Sequence, residues 1–325
     1  MLDTELALRE IDAFREKINT ALAQLPLPKE PDYLYTPVRY ALQGSGKRLR
    51  PILVYLSSQA FRADEEEVLS AALAVELLHN FTLVHDDIMD RDERRHNKPT
   101  VYCQWDDSTA VLTGDGLFAW AQEFICRVKT NTLPAICAFN KAALMVCEGQ
   151  AYDKEFEANY TVNMDQYLTM IEKKTGALLA LCAQLGGILG DQEDSILQRL
   201  YSFGIHLGIA FQIQDDLLEI YGDSQTLGKS QGSDIIAGKQ TALTILARRA
   251  SPMRWQKVLS DSVSKPIEEQ LLVLKDYFTE VGVYRQVVDL ADNYFTLVDR
   301  DLEVFPPPGR DLIKQFTNMV ARRNA

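Results

Sequence analysis

The sequence predicts an all-α protein, a single large helical bundle in one domain that spans residues 1–325. Apolar residues recur at three- and four-residue steps through most of the chain, which is the periodicity of amphipathic helices. Alternating Val, Ile and Thr runs bounded by tight turns, which would predict strands, are scarce. Hydrophobic residues make up 46% of the 325 residues, so the chain can bury a substantial core. No repeat or shift of composition marks a second domain.

Helical patterns follow one another from the start of the chain. The first carries an apolar stripe from Leu6 to Leu25, and a proline-rich loop ends it. Further helical patterns lie at about 36–44, 51–61, 65–90, 108–129, 132–151, 164–190 and 193–220, with about four more after residue 240. The stretches 71–84 and 177–189 hold few polar residues, so we expect both in the middle of the bundle.

Composition argues against several classes of protein. With 34 Lys and Arg against 46 Asp and Glu, the net charge of −12 argues against general nucleic-acid binding, which needs a basic surface. The five cysteines form no CxxC pair, which favours reduced thiols over a zinc site or disulfides. The N-terminus has no apolar signal core, and the longest weakly polar run, 176–190, is too short to cross a bilayer. We therefore expect a cytoplasmic protein with no transmembrane segment and no nucleic-acid partner.

An acidic cluster ends the apolar helix predicted at 65–90. Asp86 and Asp90 are four residues apart and Asp87 and Asp90 are three apart, so their carboxylates share one side of a helix. Three like charges there need a positive partner, and hard oxygen ligands suit Mg²⁺. The alternative is a solvated, salt-bridged helix end, because Arg94 and Arg95 follow within five residues.

A second acidic cluster, Asp215, Asp216 and Glu219, ends the helix predicted at 193–220. Facing helices of a bundle could bring the two clusters across one central cavity, where several Mg²⁺ ions would bind a diphosphate. Carboxylate-bridged iron is the rival. It requires Glu-x-x-His pairs on two helices, and neither cluster has an acid followed by His three residues later.

Two segments rich in glycine and basic residues accompany the acids. Segment 44–51 places Lys47, Arg48 and Arg50 between a glycine-rich turn and a proline that starts a helix, where backbone amides and guanidinium groups would take an anion. Segment 222–238, which holds Lys229 and precedes Lys239, is typical of a lid over phosphates. A plain surface loop is the alternative for the second segment.

Taken in order, these motifs resemble those of the head-to-tail trans-prenyl diphosphate synthases, the family of farnesyl, geranylgeranyl and longer polyprenyl diphosphate synthases. The resemblance runs from about residue 36 to 245 and departs from the family pattern at Glu219, where Asp is usual. A carboxylate remains there. The shared motifs are Gly46-Lys47-Arg48-Leu49-Arg50-Pro51, Asp86-Asp87-Ile88-Met89-Asp90, Arg94-Arg95, Lys98-Pro99-Thr100, Gly114-Asp115, Gly149-Gln150, Lys174-Thr175, Phe211-Gln212, Asp215-Asp216, Gly228-Lys229, Gly232, Asp234 and Lys239-Gln240-Thr241.

The resemblance implies a Mg²⁺-dependent condensation of isopentenyl diphosphate with an allylic diphosphate, with release of diphosphate. The implied ligands of three Mg²⁺ ions are Asp86, Asp87, Asp90, Asp215, Asp216 and Glu219. The residues implied at the allylic diphosphate are Arg94, Lys174, Lys229 and Lys239, and those at isopentenyl diphosphate are Lys47, Arg50, His79 and Arg95. The implied catalytic set is Asp86, Asp87, Lys174, Thr175, Gln212 and Asp215, in which Thr175 and Gln212 direct oxygen dipoles at the allylic cation.

Two other functions remain open on the sequence alone. A terpene cyclase shares the fold, the metals and the first acidic motif, but it does not need a basic site for isopentenyl diphosphate. A non-enzymatic helical scaffold would merely solvate its acids, and such relatives usually lose an acidic motif that this chain keeps. Because the family is typically dimeric, the resemblance also implies a homodimer.

In this family, bulky residues just upstream of the first acidic motif act as a floor under the growing chain. Phe81 stands five residues before Asp86, and Thr82 stands four before it. One aromatic floor residue, without the two-residue insertion common in bacterial farnesyl diphosphate synthases, resembles the geranylgeranyl (C20) type, with farnesyl (C15) second and longer chains third. On an ideal helix Phe81 falls nearly opposite the carboxylates, so a core role is the alternative.

Overall fold

The computed structural model describes residues 2–44, 46–222, 238–262 and 265–321. Among these residues the chain is almost entirely helical, so the prediction of an all-α fold is confirmed. The fifteen α-helices of the described residues are α1 (Leu2–Ala23), α2 (Asp32–Leu42), α3 (Leu49–Ala60), α4 (Glu65–Asp90), α5 (Val101–Gln104), α6 (Asp107–Ile125), α7 (Thr132–Phe156), α8 (Met164–Ile171), α9 (Ala177–Leu189), α10 (Asp194–Tyr221), α11 (Ala242–Ala250), α12 (Pro252–Ser262), α13 (Ile267–Glu280), α14 (Val283–Asp301) and α15 (Gly309–Ala321). A π-helix (Glu172–Gly176) joins α8 to α9, and a 3₁₀-helix (Leu302–Val304) follows α14.

The chain divides into two compact units. The first comprises Met1–Ala143, Leu179–Tyr201 and Leu302–Phe316, and the second comprises Leu144–Leu178, Ser202–Asp301 and Thr317–Ala325. Within the first unit α4 packs against α3 and α6, and within the second α11 packs against α8 and α14. The prediction of a single domain stays a prediction.

Helix α4 organises the first unit. Asp64 caps its N-terminus by accepting hydrogen bonds from the N–H groups of Glu66 and Glu67, whose charges suit the positive end of the helix dipole. The side chains at 71–78 are buried, as the apolar pattern predicts. Gly114 of α6 permits the two helices to approach closely, because a Cβ there would lie 2.1 Å from the Nε2 atom of His85.

By length and composition, α4 is also the one helix among the described residues that would suit a membrane span. However, 61% of its most apolar stretch is buried inside the protein, as in the core helix of a globular fold. The absence of a transmembrane segment stays a prediction.

A two-stranded antiparallel hairpin follows α4, and the sequence patterns do not predict it. Strand β1 (Arg94–Arg95) pairs with β2 (Lys98–Pro99). His96 and Asn97 connect them with φ angles of 49° and 63°, the left-handed geometry that suits a tight hairpin. Strands of two residues are too short for an alternating pattern. Because successive strand residues point to opposite faces, the hairpin separates the two arginines of β1.

Candidate active site

The first acidic cluster occupies the end of α4. Asp86, Asp87 and Asp90 lie at the negative end of the helix dipole, and the last turn of the helix holds no basic residue. Asp87 is only 3% exposed, whereas Asp86 and Asp90 are half-buried. Carboxylates at this end of a helix raise the free energy of the fold unless a cation offsets them. The arrangement therefore favours a binding role over a stabilising one.

Arg95 supplies part of the positive charge. Its Nε atom lies 2.6 Å from Asp87 Oδ1, and its Nη2 atom lies 3.3 Å from Asp92 Oδ2. Burial lowers the pKa of Arg95, but the hydrogen bond to Asp87 and the charges of Asp87, Asp92 and Asp86 together outweigh burial and raise it overall. Arg94 is exposed and donates instead to the carbonyl of Asn97 over 2.6 Å. The two neighbouring arginines thus have different surroundings.

A basic cluster, defined by Arg50, His79 and Arg95, adjoins the acidic one. Arg50 Nη1 donates to His79 Nε2 over 3.1 Å, because a guanidinium carries no acceptor atom. The pKa of His79 lies well below its usual range, first because of burial and then because of nearby cations, chiefly Arg50 and Arg95. His79 is therefore a neutral acceptor at neutral pH. Three of the four residues predicted for isopentenyl diphosphate thus interact electrostatically with one another. The fourth, Lys47, is exposed on the preceding loop.

Arg48 anchors the loop that carries Lys47 and Arg50. Its side chain is buried and forms an ion pair with the equally buried Glu76. Its φ of 52° turns the chain into α3. Lys47, Arg48 and Arg50 thus differ in role, because Arg48 points inward and stabilises the fold, whereas Lys47 and Arg50 remain accessible. Glu76, the only acid in the apolar middle of α4, is the sequence signal that would have revealed this buried pair.

The second acidic cluster occupies the end of α10, where the last turn again holds no basic residue. Asp216 is only 5% exposed, whereas Asp215 and Glu219 are half-buried. Gln212 donates from Nε2 to Asp216 Oδ1 over 2.9 Å, and its Oε1 accepts the hydroxyl of Thr175 over 2.8 Å. Two predicted catalytic residues, Thr175 and Gln212, therefore join one hydrogen-bonded chain that ends on a predicted metal ligand.

Lys174 and Thr175 lie in the π-helix, a rare element that is frequent at functional sites. Two glycines allow neighbouring helices to approach it. A Cβ at Gly149 of α7 would lie 2.3 Å from the backbone N of Lys174, and a Cβ at Gly208 of α10 would lie 2.4 Å from the backbone at the end of the π-helix. Lys174 Nζ donates to the buried carboxylate of Asp153 over 2.6 Å.

Lys239 precedes α11, and the two residues that follow it, Gln240 and Thr241, are fixed by hydrogen bonds. Thr241 is the N-cap of α11 and forms a capping box with the residue three positions later. The buried Gln240 accepts a hydrogen bond from Arg248 Nη1 over 2.6 Å. Lys239 itself is half-buried. Lys229, the other lysine predicted in this region, lies outside the described residues.

Phe81 and Thr82, the predicted chain-length residues, lie in α4 before the first acidic cluster. The half-buried ring of Phe81 packs on the ring of His85, with centroids 4.8 Å apart, and on Phe118 of α6, with centroids 5.3 Å apart. Thr82 donates from Oγ1 to the carbonyl of His79 over 2.8 Å. Phe81 thus lies on the side of α4 that packs against α6.

The two acidic clusters suit Mg²⁺ chemically. Mg²⁺ keeps several waters and binds through one or two carboxylates together with substrate phosphates. Both clusters offer such hard oxygen donors, at helix ends whose electrostatics favour a cation. Among the described residues no group of three or more His, Cys, Asp and Glu side chains forms a ready metal cage, and binding shared with a diphosphate does not need one.

Comparison with known proteins places these features in a family context. Residues 31–275 match the profile of the polyprenyl synthetase family. The chain is 39% identical to a geranylgeranyl diphosphate synthase of Methanosarcina mazei over 321 residues, which cover 97% of each chain. It is 34% identical to a geranylfarnesyl diphosphate synthase of Natronomonas pharaonis, over 95% of this chain and 96% of that one. Among solved structures, a geranylgeranyl pyrophosphate synthetase from Pyrococcus horikoshii superposes with a TM-score of 0.90 at 33% identity, over 98% of this chain and 99% of that one.

Proposed function

Because the chain belongs to the polyprenyl synthetase family and is a prenyltransferase, we propose that it condenses isopentenyl diphosphate head to tail with an allylic diphosphate to give geranylgeranyl diphosphate. The observation that carries this proposal is the basic cluster of Arg50, His79 and Arg95, whose Arg95 pairs directly with Asp87 of the acidic cluster of α4. The basic cluster suits a diphosphate held by protein cations, and the acidic cluster suits one held through Mg²⁺. A terpene cyclase, with a single diphosphate substrate, would not need the basic cluster.

The reaction requires no protein nucleophile. The C–O bond of the allylic diphosphate breaks, and the diphosphate departs with the electron pair. The double bond of isopentenyl diphosphate then attacks the allylic cation at C1, which forms the new C–C bond. Loss of a proton from C2 to the released diphosphate leaves the new trans double bond. The chain must bind both diphosphates, exclude water and present oxygen dipoles to the cation.

The proposed roles follow the two units. Each unit supplies its own proposed Mg²⁺ ligands, Asp86, Asp87 and Asp90 in the first and Asp215, Asp216 and Glu219 in the second, for three ions in all; bound Mg²⁺ would neutralise a departing diphosphate. Arg94, Lys174, Lys229 and Lys239 would contact that diphosphate. Lys47, Arg50, His79 and Arg95 would hold isopentenyl diphosphate, with the neutral His79 fixing the Arg50 guanidinium.

The function is tested by incubating the protein with Mg²⁺, isopentenyl diphosphate and allylic primers of 5, 10 and 15 carbons. We expect a C20 product after dephosphorylation and chromatography. The absence of any elongated product would refute the proposal, and a cyclised hydrocarbon formed from the allylic substrate alone would favour a cyclase. Lys47→Ala should raise the KM for isopentenyl diphosphate selectively, whereas the exposed Lys129→Ala serves as the matched control.

Product length rests on Phe81. The 39% identity to the geranylgeranyl diphosphate synthase of Methanosarcina supports a C20 product. The identity to the geranylfarnesyl (C25) diphosphate synthase of Natronomonas is similar, at 34%. Phe81→Ala removes the ring that packs between His85 and Phe118, and it should lengthen the product by one or more C5 additions. Phe14→Ala, which truncates an aromatic ring of α1, should leave the product unchanged. Identical products from wild type and Phe81→Ala would refute the proposed role of Phe81 in limiting the length of the product.

We also propose that the enzyme is a cytoplasmic homodimer. Large apolar side chains are exposed on two neighbouring helices of the first unit, namely Val111 and Leu112 of α6, each 44% exposed, and Leu133 of α7, 70% exposed. Gln122 of α6 donates to Asn140 of α7 over 2.5 Å, so the two helices are in contact. A second copy would bury these side chains. Sedimentation velocity should give a dimer, and Leu133→Glu should shift it toward monomer. Cell fractionation tests the location.

A further inference from the structure

We propose that Tyr167 is a positioning residue of this reaction, whose buried hydroxyl fixes the chain of hydrogen bonds Asp216–Gln212–Thr175 in the arrangement that presents the Thr175 oxygen as an electron donor to the allylic cation. The inference rests on the proposed function and deepens it. Tyr167 belongs to none of the motifs on which the family resemblance depends.

Tyr167 reaches the second acidic cluster from α8. The side chain is 1% exposed, and its hydroxyl donates to Asp216 Oδ2 over 2.7 Å. Gln212 Nε2 donates to the other oxygen of the same carboxylate, Oδ1, over 2.9 Å. Both oxygens of the buried Asp216 are thus engaged by donors from within the second unit. Hydrogen bonds to an ionised acceptor are the strong ones, so Asp216 is held from two sides.

The fixed carboxylate of Asp216 sets the donor-to-acceptor direction of each hydrogen bond in this series. An ionised Asp216 only accepts, so Gln212 must turn its NH₂ group toward it and its Oε1 toward Thr175. Thr175 then donates its only hydroxyl hydrogen to Gln212, over 2.8 Å, and its oxygen lone pairs point elsewhere. An amide of the opposite orientation would make Thr175 accept from Gln212 and point its hydrogen outward, which a nearby cation would repel.

The environment of Tyr167 keeps it a donor. Burial, followed by the charge of Asp216 and the hydrogen bond to it, raises the pKa of Tyr167 well above its usual value. Helix α8, which carries Tyr167, also packs against α11. Tyr167 therefore connects the acidic cluster of α10 to a neighbour of α11, a helix that begins three residues after the proposed diphosphate ligand Lys239.

The test is Tyr167→Phe, which keeps the ring and deletes the hydroxyl. We expect kcat to fall about tenfold, the size of one hydrogen bond to a charged group, while the KM values for both substrates change less than about twofold. Tyr277→Phe is the matched control. Tyr277 is equally buried, in the same unit, and its hydroxyl lies 3.4 Å from the carbonyl oxygens of Ala247 and Ser251. Its kcat should equal that of wild type.

A double-mutant cycle separates positioning from general loosening. If Tyr167 acts through Asp216, then Tyr167→Phe should change kcat less than about twofold when Asp216→Asn is already present, because contacting residues are not additive. A full tenfold loss in that background would overturn the inference.

Binding of Mg²⁺ with inorganic diphosphate provides a readout that is independent of turnover. We expect this pair to raise the melting temperature of Tyr167→Phe by as much as that of wild type, and a lost shift would instead assign Tyr167 to metal binding. Wild type is assayed alongside. Absence of wild-type product would overturn the proposed function and this inference with it, whereas normal wild-type product with unchanged kcat in Tyr167→Phe would overturn this inference alone.

Discussion

The acidic clusters at the ends of α4 and α10 are built alike but held by different chemistry. In each adjacent Asp pair the first carboxylate is half-buried and the second is buried. In the first cluster the buried Asp87 pairs with a cation, Arg95. In the second cluster the buried Asp216 accepts hydrogen bonds from the neutral groups of Tyr167 and Gln212. These hydrogen bonds stabilise the charge of Asp216 without neutralising it.

The difference shows that neighbouring, chemically identical residues divide into two kinds. The half-buried Asp86 and Asp215 are placed to meet a ligand, whereas Asp87 and Asp216 also tie their clusters to the fold. The stability lost when Asp87 or Asp216 is replaced depends on the group with which it interacts. A buried charge left without its partner destabilises the fold more than a neutral donor left without an acceptor. The following predictions test this division, from the largest expected effect to the smallest.

Asp86→Ala and Asp215→Ala should each lower kcat by about a hundredfold or more, as expected when a group that offsets transition-state charge is removed. Stability should change little, because each variant relieves repulsion at the negative end of a helix dipole. Steady-state kinetics and thermal melting measure the two effects. Turnover within a few-fold of wild type in either variant would contradict the proposed metal role of that cluster.

Asp87→Asn should destabilise the protein by about 3 kcal/mol, because the largely buried guanidinium of Arg95 loses the nearer of its two charged partners, Asp87, and keeps Asp92 at 3.3 Å. Asp216→Asn should cost about 1–2 kcal/mol through the neutral donors of Tyr167 and Gln212, which lose an ionised acceptor. Urea unfolding of both variants gives the comparison directly. Equal costs, or a larger cost for Asp216→Asn, would refute the distinction between the two anchors.

Gly149→Ala tests the geometry of the second unit, because the new Cβ would meet the backbone N of Lys174 at 2.3 Å. The π-helix must shift, and with it Thr175, so we expect kcat to fall about tenfold, in line with the sensitivity of catalysis to displacements of 1 Å. Gly116→Ala of α6 is the control. Its Cβ would come closest to the end of the flexible Leu34 side chain, at 3.0 Å, and would meet Val38 at an ordinary contact distance of 3.6 Å. Equal turnover in the two variants would contradict this prediction.

The two clusters should also differ in how the free energy of unfolding depends on pH. A single titrating group changes this free energy by at most about 1.4 kcal/mol per pH unit. The folded state depresses the pKa of His79, so below about pH 6.5 the unfolded chain binds more protons and stability falls as the pH falls. His79→Gln should reduce this loss of stability at acid pH. His96, whose pKa is also lowered, accounts for part of the loss that remains. Tyr167→Phe should leave the acid limb unchanged, because the pKa of Tyr167 is raised. Urea unfolding from pH 7 to 5 measures all three.

Much of the fold follows from local pattern. The apolar periodicity at 65–90 coincides with α4, Glu65–Asp90, and the acidic ends of α4 and α10 are visible in the sequence. The helix predicted over 164–190 is correct in outline, but the sequence does not reveal the π-helix within it. The insertion depends on Gly149 and Gly208, which lie on other helices and carry no local signal for the segment they shape.

The sequence by itself determined the helices, the acidic and basic motifs and the resemblance to a family, because periodicity and residue type act within a few residues of one another. Only the tertiary structure decided which member of each Asp pair is buried, that Arg48 turns inward to Glu76, and that Tyr167 meets Asp216. The last two outcomes depend on contacts between residues 28 and 49 positions apart. No local pattern encodes such contacts, because the direction of a side chain at a helix end is set by the neighbouring element that packs against it.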